Sequence, residues 1–165
     1  MKKVIGRKRH SIRKAHISIL EQRLREEIGE SAGTFLKDPV EIVETNTTLC
    51  LYLSERKPVL MEGDGILFPT IRGALEHPFP ERKIVVDAGA VPYVVNGADV
   101  MRPGVVLVTD DVQAGKPVQI AEERHGKVIA TGIALFGADE IRAMKTGKVC
   151  RNLHHVGDDI WNIEL

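Results

Sequence analysis

The sequence predicts an α+β protein in two parts, an N-terminal α+β domain over residues 1–80 and a strand-rich, barrel-forming domain over 83–165. Three observations carry this. One amphipathic helical repeat stands near the N-terminus. Short alternating apolar segments punctuated by Gly, Pro, Asp and Asn follow it. The proline-rich "HPFPERK" separates two differently patterned halves. With 165 residues there is room for one domain or two small ones. At 43% hydrophobic and only 4% aromatic residues, the core must be aliphatic.

From Ser11 to Ile28, apolar residues or His fall at Ile12, Ala15, His16, Ile19, Leu20, Leu24 and Ile28, steps of three and four that predict a helix. Ser11 is placed to cap its start and Gly29 to end it. "PVEIVETNT", "LCLYLSE" and the piece from Pro58 read as strands, with turns at Asn46 and "SERKP". "FPTIRGALEHPFP" reads as a short helix closed by Pro78 and Pro80. In the second half, "KIVVDAG", "GVVLVTDDV", "VQIAEE", "VIATGIAL" and "DIWNIEL" read as strands. "ERHGK" makes a hairpin, and "GADEIRAMKTG" makes a short helix. Trp161 is expected in the core of the last strand.

Net charge is zero, but it is unevenly distributed. Residues 1–25 carry Lys2, Lys3, Arg7, Lys8, Arg9, Arg13, Lys14, Arg23 and Arg25 against Glu21 alone, a net +8, leaving −8 for the remainder. A basic arm on an acidic body points to an anionic partner, although a solvated terminus is the plainer account. Arg7, Lys8, Arg9, Arg13 and Lys14 are the candidates for sequence-independent phosphate contacts. Cys50 and Cys150 form neither a disulfide framework nor a zinc knuckle and are expected to be buried, inert thiols. No signal peptide and no run of about 20 apolar residues is present, so a cytoplasmic protein without membrane contact is expected.

"DAGAVPYVVNGADVMRPGVV", Asp87–Val106, is the most informative stretch. Two Gly-Ala pairs stand eight residues apart around an apolar segment, followed by Pro-Gly. Pro92 suits the first turn of a short helix, Gly97 a left-handed helix end, and Pro103-Gly104 a tight turn. Glycines that only make turns are one reading. The other is an open backbone surface against which a flat ligand packs, with Arg102 nearby.

The order Gly-Ala, short helix, Gly-Ala-Asp, Pro-Gly, aliphatic strand resembles the PUA domain, an RNA-binding pseudobarrel. The late segments "VIATGIAL", "GADEI" and "VGDDIWNI" extend the resemblance over about 83–165. With "FPTIRGALEHPFP" in front, the chain looks like an archaeal-type relative of the malignant T-cell-amplified-sequence proteins. That resemblance implies a protein acting on tRNA, in its acceptor region, or on rRNA of the small ribosomal subunit during translation initiation or recycling. It places the RNA surface on Asn96, Gly97, Ala98, Asp99, Met101 and Arg102, flanked by Lys83, Lys148 and Arg151.

An enzyme is the weaker reading. His154-His155 with Asp158-Asp159 fits no standard ligand spacing, and neighbours on a strand face opposite ways. "EGDGILFP" lacks the Gly-Lys-Ser/Thr of a phosphate loop. Neither metal nor cofactor is expected. An accessory subunit that presents RNA to a tRNA or rRNA modification enzyme, and a protein-interaction module in which the N-terminal domain docks a partner, remain the alternatives; the expected partners are RNA and the small ribosomal subunit or a translation factor.

Overall fold

The computed structural model describes residues 3–165. Lys2, one of the arm's cations, lies outside them. The chain divides into two compact units, one holding residues up to Phe79 together with Asp159–Leu165, the other Pro80–Asp158.

The first unit is an antiparallel meander of five strands in chain order. They are β1 (Gly6–Ser11), β2 (Val40–Thr45), β3 (Cys50–Ser54), β4 (Lys57–Gly63) and β5 (Ile66–Pro69). Helix α1 (Lys14–Ile28) follows β1, and α2 (Ile71–Glu76) follows β5. Thr70 caps α2, its side chain accepting from the Gly73 amide at 3.0 Å. Residues facing each other across the ladder share a side of the sheet. Val43, Leu51 and Met61 lie on one side, and Ile42, Tyr52 and Leu60 on the other. Arg23 of α1 reaches Glu62, which also accepts from the Tyr52 hydroxyl, so α1 covers the Tyr52 side. Ile160 and Ile163 pack on Val43, Leu51, Leu53 and Met61, so the end of the chain covers the opposite side. Arg72 holds that segment in place. It donates to the Trp161 carbonyl at 3.0 and 3.1 Å, and its guanidinium stacks 3.9 Å from the indole centroid.

Four expectations change here. Residues 6–11 form an edge strand rather than a loose arm, because their ladder to β2 satisfies their backbone. That ladder runs on through the Ile12 amide, which donates to Val40 O, so Ser11 cannot cap a helix. α1 starts instead after Arg13, which makes no side-chain cap. Only Leu20, Leu24 and Ile28 of its apolar stripe are buried, and Ile19 is 59% exposed. "DIWNIEL" is turn rather than strand, and Trp161 is half-buried under Arg72 instead of in a strand core.

The second unit is a six-stranded pseudobarrel. Its elements are β6 (Lys83–Val86), α3 (Val91–Val94), β7 (Val100–Met101), β8 (Val105–Val108), β9 (Pro117–Glu122), β10 (Val128–Ala134), α4 (Ala138–Ala143) and β11 (Lys148–His155). The strand order is β7-β11-β10-β9-β6-β8, with β6 and β9 parallel and the other pairs antiparallel. The core is aliphatic as composition requires, built on Ile84, Val86, Val100, Val118, Ile120, Ile141 and Val149. Gly132 sits at a bulge where β10 crosses β11. A Cβ there would run into Arg151 O and stand 2.5 Å from Cys150 Sγ, so only glycine permits the approach. Burial pushes the Cys150 thiol up to about 12. Cys50 departs from expectation, being only partly buried. Among the described residues, no helix is long and apolar enough to cross a membrane.

Candidate nucleic-acid interface

The stretch Asp87–Gly104 folds back on itself at one end of the pseudobarrel. Where β6 ends, the Asp87 amide donates to Gly104 O at 2.9 Å and ties the stretch's two ends together. The Asp87 carboxylate accepts from the Ala90 amide at 2.9 Å and closes the turn that leads into α3, whose first turn holds Pro92. Gly97 then takes φ +93° and donates its amide to Val94 O. A side chain there would be strained by the backbone angle, and its Cβ would stand 3.2 Å from His155 Nε2.

The loop after α3 is held from beneath by β11. Asn152 Nδ2 donates to Val94 O and Ala98 O, both at 3.0 Å. Asp99 returns the bond, accepting from the Asn152 amide at 2.8 Å while its other oxygen meets Lys148 Nζ at 2.8 Å. Lys148, and then the Asn152 amide, hold the Asp99 carboxyl below the usual range, and the nearby Arg151 charge adds to this.

Between α3 and the β7–β8 connection lies a cavity of about 310 Å³. Gly89, Ala90 and Gly104 supply small walls, Tyr93, Met101 and Pro103 apolar ones, and Asp87 and Asp99 the charge. Tyr93 is 70% and Met101 49% exposed. A cavity of this size with small and apolar walls and an exposed ring suits a planar aromatic ligand, with its anionic part left outside near Lys148 and Arg151.

The structure thus brings Asp99 and Met101 into the cavity wall. Asn96, Gly97 and Ala98 lie on the adjoining loop, and Lys148 beside Asp99. Asn96 turns its amide inward to Pro92 O. Two residues differ. Lys83 begins β6 at the end away from Asp87 and is not in the wall. Arg102 commits its guanidinium to carbonyls: Nε to Ile141 O at 2.6 Å, Nη1 to Val105 O at 3.3 Å and Nη2 to Arg142 O at 3.4 Å. It brackets the end of α4 to the start of β8.

Three residues of the site carry no functional signal in the sequence. Asp87 reads there as part of the strand "KIVVDAG". Tyr93 reads as part of the apolar segment, although a lone tyrosine on so short a helix has little core to enter. Asn152 carries no local signal, because its partners lie more than fifty residues away.

The basic residues of the N-terminus belong to the first unit. Arg7, Lys8 and Arg9 are exposed on β1, and Arg13 and Lys14 are exposed at the start of α1. Arg9 is occupied by a two-pronged pair with Glu41, at 2.8 and 3.0 Å. Asp158 accepts from His154 Nδ1 and from the His155 amide, whereas Asp159 accepts from the Val4 amide in the first unit. No group of three or more metal-ligating side chains forms among the described residues.

Comparison with known proteins agrees with this fold. The sequence pattern of the PUA domain matches residues 82–156. An uncharacterized protein of Methanocaldococcus jannaschii is 33% identical over 96% of this chain and 98% of its own. Translation machinery-associated protein 20 of Saccharomyces cerevisiae is 28% identical over 78% of this chain and 75% of its own. The crystal structure of a hypothetical protein from Pyrococcus horikoshii superposes with a TM-score of 0.86 at 32% identity, covering 94% of this chain and 98% of that one. The chain therefore belongs to the PUA-domain proteins, as an archaeal-type relative of translation machinery-associated protein 20 and the malignant T-cell-amplified sequence proteins.

Proposed function

We propose that the protein is a non-catalytic, cytoplasmic RNA-binding protein of the translation apparatus, acting on tRNA or the small ribosomal subunit during initiation or recycling. The observation that carries this is the cavity beside α3. It is large enough for one nucleobase, its exposed Tyr93 ring offers a stacking surface, and Lys148 and Arg151 stand near it for the backbone phosphates. The Asn96–Ala98 loop supplies main-chain contacts, and Arg102 contributes by bracing the turn rather than by touching RNA. Arg7, Lys8, Arg13 and Lys14 add phosphate contacts from the first unit, with Arg9 contributing less because Glu41 holds it. The relationship to translation machinery-associated protein 20 supports the choice of process.

The test is co-purification of the tagged full chain from its own cells, followed by RNA crosslinking and sequencing. Small subunits or tRNA crosslinked to the second unit are expected. Recovery with an RNA-modifying enzyme, or with an RNA-free protein partner, contradicts the reading.

A further inference from the structure

Among the described residues, the cavity wall contains carboxylates and no lysine or arginine side chain. It therefore repels phosphate and suits a neutral base. Both Asp99 oxygens are engaged, by the Asn152 amide and by Lys148. Asp87 differs: Oδ1 accepts from the Ala90 amide, and Oδ2 has no hydrogen-bond partner among the described residues. An ionised carboxylate accepts hydrogen bonds and donates none. A base entering beside Tyr93 thus meets an acceptor fixed in position by the Asp87–Ala90 turn before α3.

The four bases answer that acceptor differently. Adenine, cytosine and guanine each carry an exocyclic amino group on the Watson–Crick edge, and guanine adds a neighbouring ring N–H. Uracil has one ring N–H between two carbonyl oxygens, whose lone pairs face the carboxylate. We propose that this cavity selects an unpaired base bearing an exocyclic amino group over uracil, and that Asp87 makes the selection. The proposal rests on the RNA reading above.

The test uses four end-labelled heptanucleotides, UUUXUUU with X as A, C, G or U, and fluorescence anisotropy with the full chain. The A, C and G forms should bind about tenfold tighter than the all-uridine form, the effect of one charge-assisted hydrogen bond. Asp87→Asn keeps an oxygen for the Ala90 amide but adds a donor that can meet a uracil carbonyl. Its preference should collapse to within about twofold, in a protein whose thermal melt matches wild type. Equal binding of all four by wild type overturns the proposal and leaves the RNA reading standing, as does an unchanged preference in folded Asp87→Asn. Binding of none of the four refutes the RNA reading itself. If Asp87→Asn melts early, Asp87→Ser, which keeps a side-chain oxygen for the turn without the charge, must lose the preference in its place.

Discussion

Arg102→Ala separates structure from recognition. The Ile141 and Arg142 carbonyls belong to the last turn of α4, where a helix leaves its carbonyls without internal partners. Arg102 supplies a partner to Arg142 O, adds a second bond to Ile141 O, which also accepts from the Met144 amide, and joins Val105 O at the start of β8 to the same group. The 2.6 Å bond to Ile141 O is short and charge-assisted, a type that contributes about 1.5–3 kcal/mol. The two bonds at 3.3 and 3.4 Å are long, and the guanidinium is only partly buried, so water recovers part of the loss. Truncation should cost about 2 kcal/mol and lower the melting temperature by roughly 5–15 °C. Arg102→Lys keeps the charge but not the fork, and should lose about half as much. The measurement is urea unfolding followed by far-ultraviolet circular dichroism, because the single tryptophan, Trp161, reports on the first unit. RNA affinity measured well below the melt should stay near wild type. A folded Arg102→Ala within about 0.5 kcal/mol of wild type that loses RNA affinity tenfold would refute the bracket and return the guanidinium to the RNA.

Gly97→Ala should cost about 1–2 kcal/mol from its positive φ and the 3.2 Å approach to His155, with Gly97→Val costing more. Both should weaken RNA binding where still folded, and a melt within error of wild type for the valine variant would count against the geometry. Ending the chain at Asp158 strips Ile160 and Ile163 from the sheet and Trp161 from Arg72. We expect a loss of roughly 3 kcal/mol or more in urea unfolding, and a change under ~1 kcal/mol would show that this cover is dispensable. Neutralising Arg7, Lys8, Arg13 and Lys14 together should flatten the dependence of log K on log salt by ~0.7 for each phosphate no longer neutralised on single-stranded RNA. An unchanged slope removes β1 and α1 from the interface. Asp99 is held below its unfolded pKa by Lys148 and the Asn152 amide. Its stabilising effect is therefore complete above the unfolded value near ~4 and fades as pH falls through the lower folded value. Asp99→Asn should flatten the acid limb of a stability profile, and an acid limb identical to wild type would show that the pair contributes nothing.

The pseudobarrel was legible because its signals are local. Pro92, Gly97 and the Pro103-Gly104 turn each state a backbone requirement within a few residues, and the structure meets each one. The first unit was less legible at both ends. "GRKRHS" has no apolar alternation because β1 is an exposed edge, held by backbone pairing that side chains do not advertise. "DIWNIEL" alternates like a strand, yet its isoleucines cover a sheet whose strands all belong to the first half of the chain. Within the site, Arg102 has structural partners that its charge does not announce. Its carbonyl partners on α4 are about forty residues away, and no spacing rule reveals them. Asn152 was silent for the same reason, whereas Lys148 and Asp99 were both named although their pairing was not visible.

The central claim, that RNA enters the cavity beside α3, is tested most directly by titrating isotope-labelled full-length protein with UUUCUUU and following backbone amides by NMR. The account predicts perturbations centred on Gly89, Ala90, Gly97, Ala98 and Met101, saturating together. It also predicts that Tyr93→Ala, which removes an exposed ring from a folded pseudobarrel, weakens binding by about 1–3 kcal/mol. Perturbations confined to β1 and the start of α1, with Tyr93→Ala binding like wild type, would contradict it.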